Sequence, residues 1–100
     1  MSVYLMLTTL TDAGRKAIQE DPESLRDINK EVELMGVKIL DQYALLGQYD
    51  FVNILEATSN EAITKLAIRL SAGGSYQTLT LAAISMDDLI EPLKQKESPW

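Results

Sequence analysis

The sequence predicts an α+β fold built on one four-stranded antiparallel sheet, and three observations predict it. Apolar runs of strand length stand at Val3–Leu10 and Phe51–Ala57. Two stretches between and after them carry apolar residues at helical spacing. A short Gly47-Gln48-Tyr49-Asp50 segment joins two of the strand-like runs in the manner of a hairpin connection. Together they give the order β-α-β-β-α-β with a terminal helix, the split βαβ or ferredoxin-like arrangement in which two helices cover one face of the sheet.

Each element has its own local cause. Val3 to Leu10 is rich in apolar and β-branched residues and ends at Thr11-Asp12, whose side chains accept hydrogen bonds from the free amides of a helix start. Ala13 to Glu20 is helical in composition. Asp21-Pro22 then reads as a fresh N-cap with proline at the first helical position, where its missing N–H costs nothing. Leu25, Ile28, Val32 and Met35 follow at spacings of three and four, one apolar stripe, and Gly36 stands where a left-handed cap is wanted.

Val37 to Leu46 and Phe51 to Ala57 should pair antiparallel across Gly47–Asp50. Thr58-Ser59-Asn60-Glu61 fits a capping box, with Thr58 as the cap and Glu61 three residues on. Ala62, Ile63, Leu66, Ala67 and Leu70 form the stripe of the next helix, which Gly73-Gly74 stops. Tyr76 to Ile84 is the fourth strand. Ser85-Met86-Asp87-Asp88 opens a last short helix to about Gln95. Residues 1–95 are expected to form a single domain and 96–100, ending Ser98-Pro99-Trp100, a C-terminal tail.

The strands are apolar on both faces. Val3, Leu5 and Leu7 alternate with Tyr4, Met6 and Thr8, and Val52 and Ile54 with Phe51, Asn53 and Leu55. A sheet with one wet face alternates apolar with charged residues instead. Two helices cover one side only, so a second sheet is expected on the other, most simply from another copy of the chain, giving a homodimer or higher oligomer.

Composition narrows the function. The 100 residues contain neither cysteine nor histidine, which excludes disulfide frameworks, thiol nucleophiles, histidine triads and an imidazole switch. No metal site and no cofactor are expected. Nine basic against fifteen acidic residues give a net charge of −6, so neither nucleic acid nor an anionic membrane surface is an expected partner. The apolar N-terminus lacks the early Lys or Arg of a signal peptide, and no apolar run nears the ~20 residues that cross a bilayer. The expected location is the cytoplasm.

The segment Leu45-Leu46-Gly47-Gln48-Tyr49-Asp50-Phe51-Val52, preceded by Gly36-Val37-Lys38 and followed by Glu56-Ala57, resembles the signature of the GYD-domain family. From about Tyr4 to Leu93 the element order is similar too, including Leu7-Thr8-Thr9-Leu10-Thr11-Asp12-Ala13-Gly14 and the Asp21-Pro22 break. The resemblance implies the dimeric α/β-barrel superfamily, in which two ferredoxin-like sheets meet face to face. It implies no activity. Superfamily members include cofactor-free monooxygenases, haem-degrading enzymes, small isomerases and effector-binding domains of amino-acid-responsive regulators, and those that depend on histidine are poor guides to a chain without one.

Five residues are candidates for ligand contact. Tyr49 and Asp50 offer a phenol and a carboxylate, though turn chemistry explains Gly47, Tyr49 and Asp50 as well: a permissive angle, a ring over the hairpin, an acceptor for backbone amides. Asn53 is a polar residue in an apolar strand. With Tyr4, Met6, Phe51 and Thr78 or Thr80 it can share a sheet face, where an amide and a phenol would hold a carbonyl or hydroxyl of an apolar ligand, and equally it can sit at a wet edge or hydrogen-bond across a dimer seam. Arg15 at a helix start suits an anion, and equally an ion pair with Asp12 or Glu20. Tyr43 and Tyr76 are expected as core or interface aromatics, and the four methionines as packing. Gly73-Gly74-Ser75 follows a helix instead of preceding one and is no phosphate loop.

The favoured function is a homo-oligomeric binding domain taking a small organic ligand between sheet and helices. A cofactor-free enzyme using Tyr49, Asp50 or Asn53 on an apolar substrate comes second, and a purely structural oligomer third. The enzyme reading ranks lower because the sequence presents no titratable pair whose environments push the two groups apart in pKa.

Overall fold

A computed structural model describes residues 1–95. It contains β1 (Ser2–Leu10), α1 (Asp12–Glu20), α2 (Ser24–Leu34), β2 (Lys38–Ala44), β3 (Phe51–Ala57), α3 (Asn60–Ala72), β4 (Tyr76–Ala83) and α4 (Met86–Lys94). The strands form one sheet in the order β2-β3-β1-β4, every neighbouring pair antiparallel. This is the ferredoxin-like α+β arrangement the sequence predicts. The tail expected at 96–100 lies outside the described residues.

Strand parity sets two unlike faces. Tyr4 pairs with Leu55 and Ala82, Met6 with Asn53 and Thr80, and Thr8 with Phe51 and Thr78, so these residues share the face that the helices cover. Beneath them lie the stripes of α2 and α3. Met6, Val37, Leu55, Ala57 and Leu66 are at most 2% exposed, with Tyr4, Val32 and Ile63 completing the core. The opposite face carries Val3, Leu5, Leu7, Val52 and Ile54, extended on β4 by Leu79 and Leu81, which stay 46% and 45% exposed.

Several junctions follow the sequence and some do not. Thr11 caps α1 by accepting from the Gly14 amide at 3.1 Å, and Ser85 caps α4 by accepting from Asp88 at 3.0 Å. Thr11 also ties α1 to the loop before β4: its amide donates to the Ser75 carbonyl at 3.0 Å and its hydroxyl to the Gly74 carbonyl at 2.6 Å. Gly14 is buried against that loop, and a Cβ there would overlap the Ser75 carbonyl, so the close approach requires glycine. Gly36 ends α2 at φ +83° as expected.

Two expectations are corrected, and β2 carries an irregularity the sequence did not announce. Asp21 does not cap α2; it closes α1, its amide donating to Ala17, while its carbonyl accepts from Ser24 across a turn that holds Pro22. The cap of α3 is Ser59, accepting from Ala62 at 3.2 Å, one residue later than Thr58. In β2, Ile39 pairs with Leu55 and Gln42 with Asn53, so three steps along β2 match two along β3 and Leu40 is the extra residue of a bulge.

The terminal helix also behaves differently from α2 and α3. Met86, Leu89, Ile90 and Leu93 make an apolar stripe at spacings of three, one and three, yet all four are exposed, from 38% to 73%. The described chain is elongated, 58 × 29 × 21 Å, with a radius of gyration of 16.3 Å against the ~13 Å of a compact domain of 100 residues. Among the described residues no helix is long and apolar enough to cross a membrane.

Candidate functional site

A cavity of about 250 Å³ opens between the covered face of the sheet and helices α2 and α3. Its deep wall is apolar, formed by core residues such as Met6, Leu55 and Leu66, and its outer part reaches β2, where Tyr43 is 57% exposed. Among the described residues no carboxylate, ammonium or guanidinium lines it.

The polar character of the wall comes from amides and hydroxyls. Gln42 and Asn29 form a reciprocal amide pair, Asn29 Nδ2 donating to Gln42 Oε1 at 2.9 Å and Gln42 Nε2 to Asn29 Oδ1 at 3.0 Å. Gln42 Nε2 also donates to Asn53 Oδ1 at 2.6 Å. The Leu40 bulge makes this chain of three possible: it reverses the parity of β2, so Gln42 shares the covered face with Ile39 instead of pointing to the open one. Thr8, only 5% exposed, and Tyr76 add hydroxyls to the same wall. Burial raises the Tyr76 pKa above its ordinary 10.0, because desolvation disfavours the phenolate.

The five sequence candidates fall in different places. Asn53 lines the cavity. Tyr4 lies on the same sheet face but is committed to the core, 4% exposed, with its phenol donating to Asn60 Oδ1 at the start of α3. Asp50 holds the hairpin to β1: its carboxylate accepts from the Leu10 amide at 2.7 Å, its amide donates to Thr8, and its carbonyl accepts from Leu45. Tyr49 precedes it in that connection, half-buried and outside the cavity wall. Arg15 pairs with Asp12 at 2.7 Å and donates to the Leu10 carbonyl at 2.8 Å, at the exposed start of α1. The structure thus brings Asn53 together with residues not singled out from the sequence, namely Gln42, Asn29 and Thr8, and with Tyr76, read as a packing aromatic. Asn29 left a signal, since it stands four residues after Leu25, on the edge of the α2 stripe. Gln42 left none, because counting alternate residues from Ile39 places it on the wrong face.

Donors around an apolar space suit recognition of a polar atom on an apolar molecule. Proton transfer asks for more, a titratable group poised to gain or lose charge.

Comparison with known proteins agrees with the fold. The chain is 41% identical over 95 residues to the "Glutamine synthetase and cystathionine beta-lyase binding protein" of Thermus thermophilus, covering 94% of this chain and 100% of that one. Among solved structures, the crystal structure of FFRP-DM1 is similar with a TM-score of 0.53 at 17% identity, covering 84% of this chain and 100% of that chain. At that identity the likeness speaks for the fold alone. A family model described as GYD domain matches residues 4–93, nearly all of the sheet and helices described above, and the chain belongs to the GYD domain family.

Proposed function

We propose that this protein is a self-assembling binding module of the cytoplasm that takes a small organic ligand between its sheet and helices. The observation that carries the reading is the cavity, apolar in its depth and supplied with amide and hydroxyl groups at one side. Binding is preferred to turnover because the wall carries no acid–base pair.

Self-assembly is supported by the two apolar surfaces left uncovered, the open sheet face and the α4 stripe. Only eight apolar residues are buried in the described chain, a small core for its length, and a second sheet laid on the open face would enlarge it. Protein partners are supported by the Thermus thermophilus relative, whose name gives it two metabolic enzymes to bind. A glutamine synthetase is therefore the first partner to test.

Light scattering across a concentration series, followed by a thermal-shift screen of small neutral metabolites on the same samples, tests the first two parts. An oligomer whose Tm rises with one ligand class is the expected result. A monomer at every concentration removes the assembly, and an oligomer indifferent to every ligand leaves a structural role. Interferometry against purified glutamine synthetase tests the third part, and no response at micromolar concentration removes that partner.

A further inference from the structure

We infer that the cavity selects a neutral molecule by its carbonyl oxygen, with Asn53 Nδ2 as the donor to that oxygen, the Tyr76 hydroxyl as a further donor elsewhere on the wall, and the apolar body of the ligand against Met6, Leu55 and Leu66. The inference rests on the small-ligand reading above and specifies its chemistry.

The first step is charge. With no ionised side chain in the wall among the described residues, an ammonium, carboxylate or phosphate placed there would give up its hydration without gaining a counter-charge from them. Amino acids, nucleotides and free acids are thereby disfavoured, and a neutral compound is not.

The second step is hydrogen-bond direction. Asn53 Oδ1 already accepts from Gln42 Nε2 at 2.6 Å, and Gln42 is itself locked by its reciprocal pair with Asn29. The network therefore fixes the Asn53 amide with its acceptor occupied. Asn53 Nδ2 makes no hydrogen bond among the described residues, nor do the hydroxyls of Tyr76 and Thr8. Thr8 is only 5% exposed and lines the cavity, so its hydroxyl is available to a molecule bound there. Two amide hydrogens and two hydroxyls facing one apolar space are rich in donors, and the matching group is an acceptor without charge. A carbonyl of an amide, lactam or ketone is that group. Burial keeps the Tyr76 phenol protonated beyond its ordinary range, so it remains a donor wherever the protein is folded at neutral pH.

Shape-matched probes decide the question. Benzamide, benzoate and benzylamine share one ring and differ in the polar group. Each is titrated into the full chain, followed by thermal shift and by the side-chain amide signals of 15N-labelled protein. Benzamide is expected to bind at least tenfold more tightly than either charged analogue and to shift the Asn53 signal. Tyr76→Phe, which deletes one oxygen and keeps the ring, should weaken benzamide about fivefold, and Asn53→Leu tenfold or more. If Asn53→Leu does not fold, Tyr76→Phe and Thr8→Val still carry the test. Equal binding of all three probes at the Asn53 signal overturns the carbonyl assignment and leaves the cavity as a ligand site. Binding of none, with no shift at Asn53, overturns both.

Discussion

The two faces of the sheet are made of the same kinds of residue and end in opposite states. On β3, Leu55 and Ile54 are neighbours, yet Leu55 is 2% exposed beneath α2 and α3 while Ile54 stands on the open face beside Leu5 and Asp41. On β4, Leu79 and Leu81 remain nearly half exposed, although their hydrophobicity matches that of the core. A strand buried on one side needs only alternate apolar residues, so the apolar residues on both sides exceed what the helices of the described chain cover. The comparison teaches that helix cover, and not strand composition, decides which face is core.

A matched pair breaks the comparison most directly. Leu55→Ala should cost about 2–5 kcal/mol at any protein concentration, because it empties a closed site. Ile54→Ala should cost less, about 1 kcal/mol in dilute protein, and its cost should grow with concentration if a second copy covers it. Denaturant unfolding at two concentrations reads both. A cost for Ile54→Ala that ignores concentration would leave the open face bare.

Asp50→Ala asks how far the hairpin belongs to the covered half. Losing a charged acceptor from the Leu10 amide should destabilise by about 1.5–3 kcal/mol, and hydrogen exchange should rise first at Leu10 and Leu45. A loss below half a kcal/mol would mean that the bond is replaced by water.

Thr80 sharpens the comparison within the covered face. Its hydroxyl is shielded from solvent and has no hydrogen-bond partner among the described residues, whereas Asn53, Thr8 and Tyr76 line the cavity. Thr80→Val keeps the shape and removes the orphan oxygen, so it should stabilise by about 1 kcal/mol. Melting curves that fall instead would show that the hydroxyl is engaged in solution.

The smallest effect concerns Tyr76. Its folded pKa lies above 10.0, so between the unfolded and folded values the native state holds the proton that the unfolded chain loses. Stability from this group is therefore intact below pH 10 and declines as pH rises through the folded pKa. Near-ultraviolet titration should show one phenol ionising late, and Tyr76→Phe should abolish that step.

Much of the fold was legible because its causes are local. Thr11 and Ser85 cap helices by reaching three residues along their own chain, and the stripes Leu25–Met35 and Ala62–Leu70 follow from 3.6 residues per turn. Parity placed Tyr4 and Met6 on one face of β1 and left Asn53 able to join them, and the β1–β3 register decides that it does. Where one residue changes the count, the same logic fails: Leu40 reverses everything after it in β2, and Gln42 enters the cavity unseen.

The candidate site divides the same way. Asn53 was visible as a polar residue in an apolar strand, while its partners Gln42 and Asn29 come from a bulged edge strand and a helix 13 residues apart in sequence. Asp50 and Arg15 looked like ligand groups because their chemistry is versatile, and the fold placed backbone amides and carbonyls within their reach. Sequence alone determined the element order, the two apolar sheet faces and the absence of histidine and cysteine chemistry, since these depend on composition and near-neighbour periodicity. Tertiary structure alone decided the cavity, its uncharged wall and the exposure of α4, because each depends on which distant surfaces meet, and no spacing along the chain encodes that meeting.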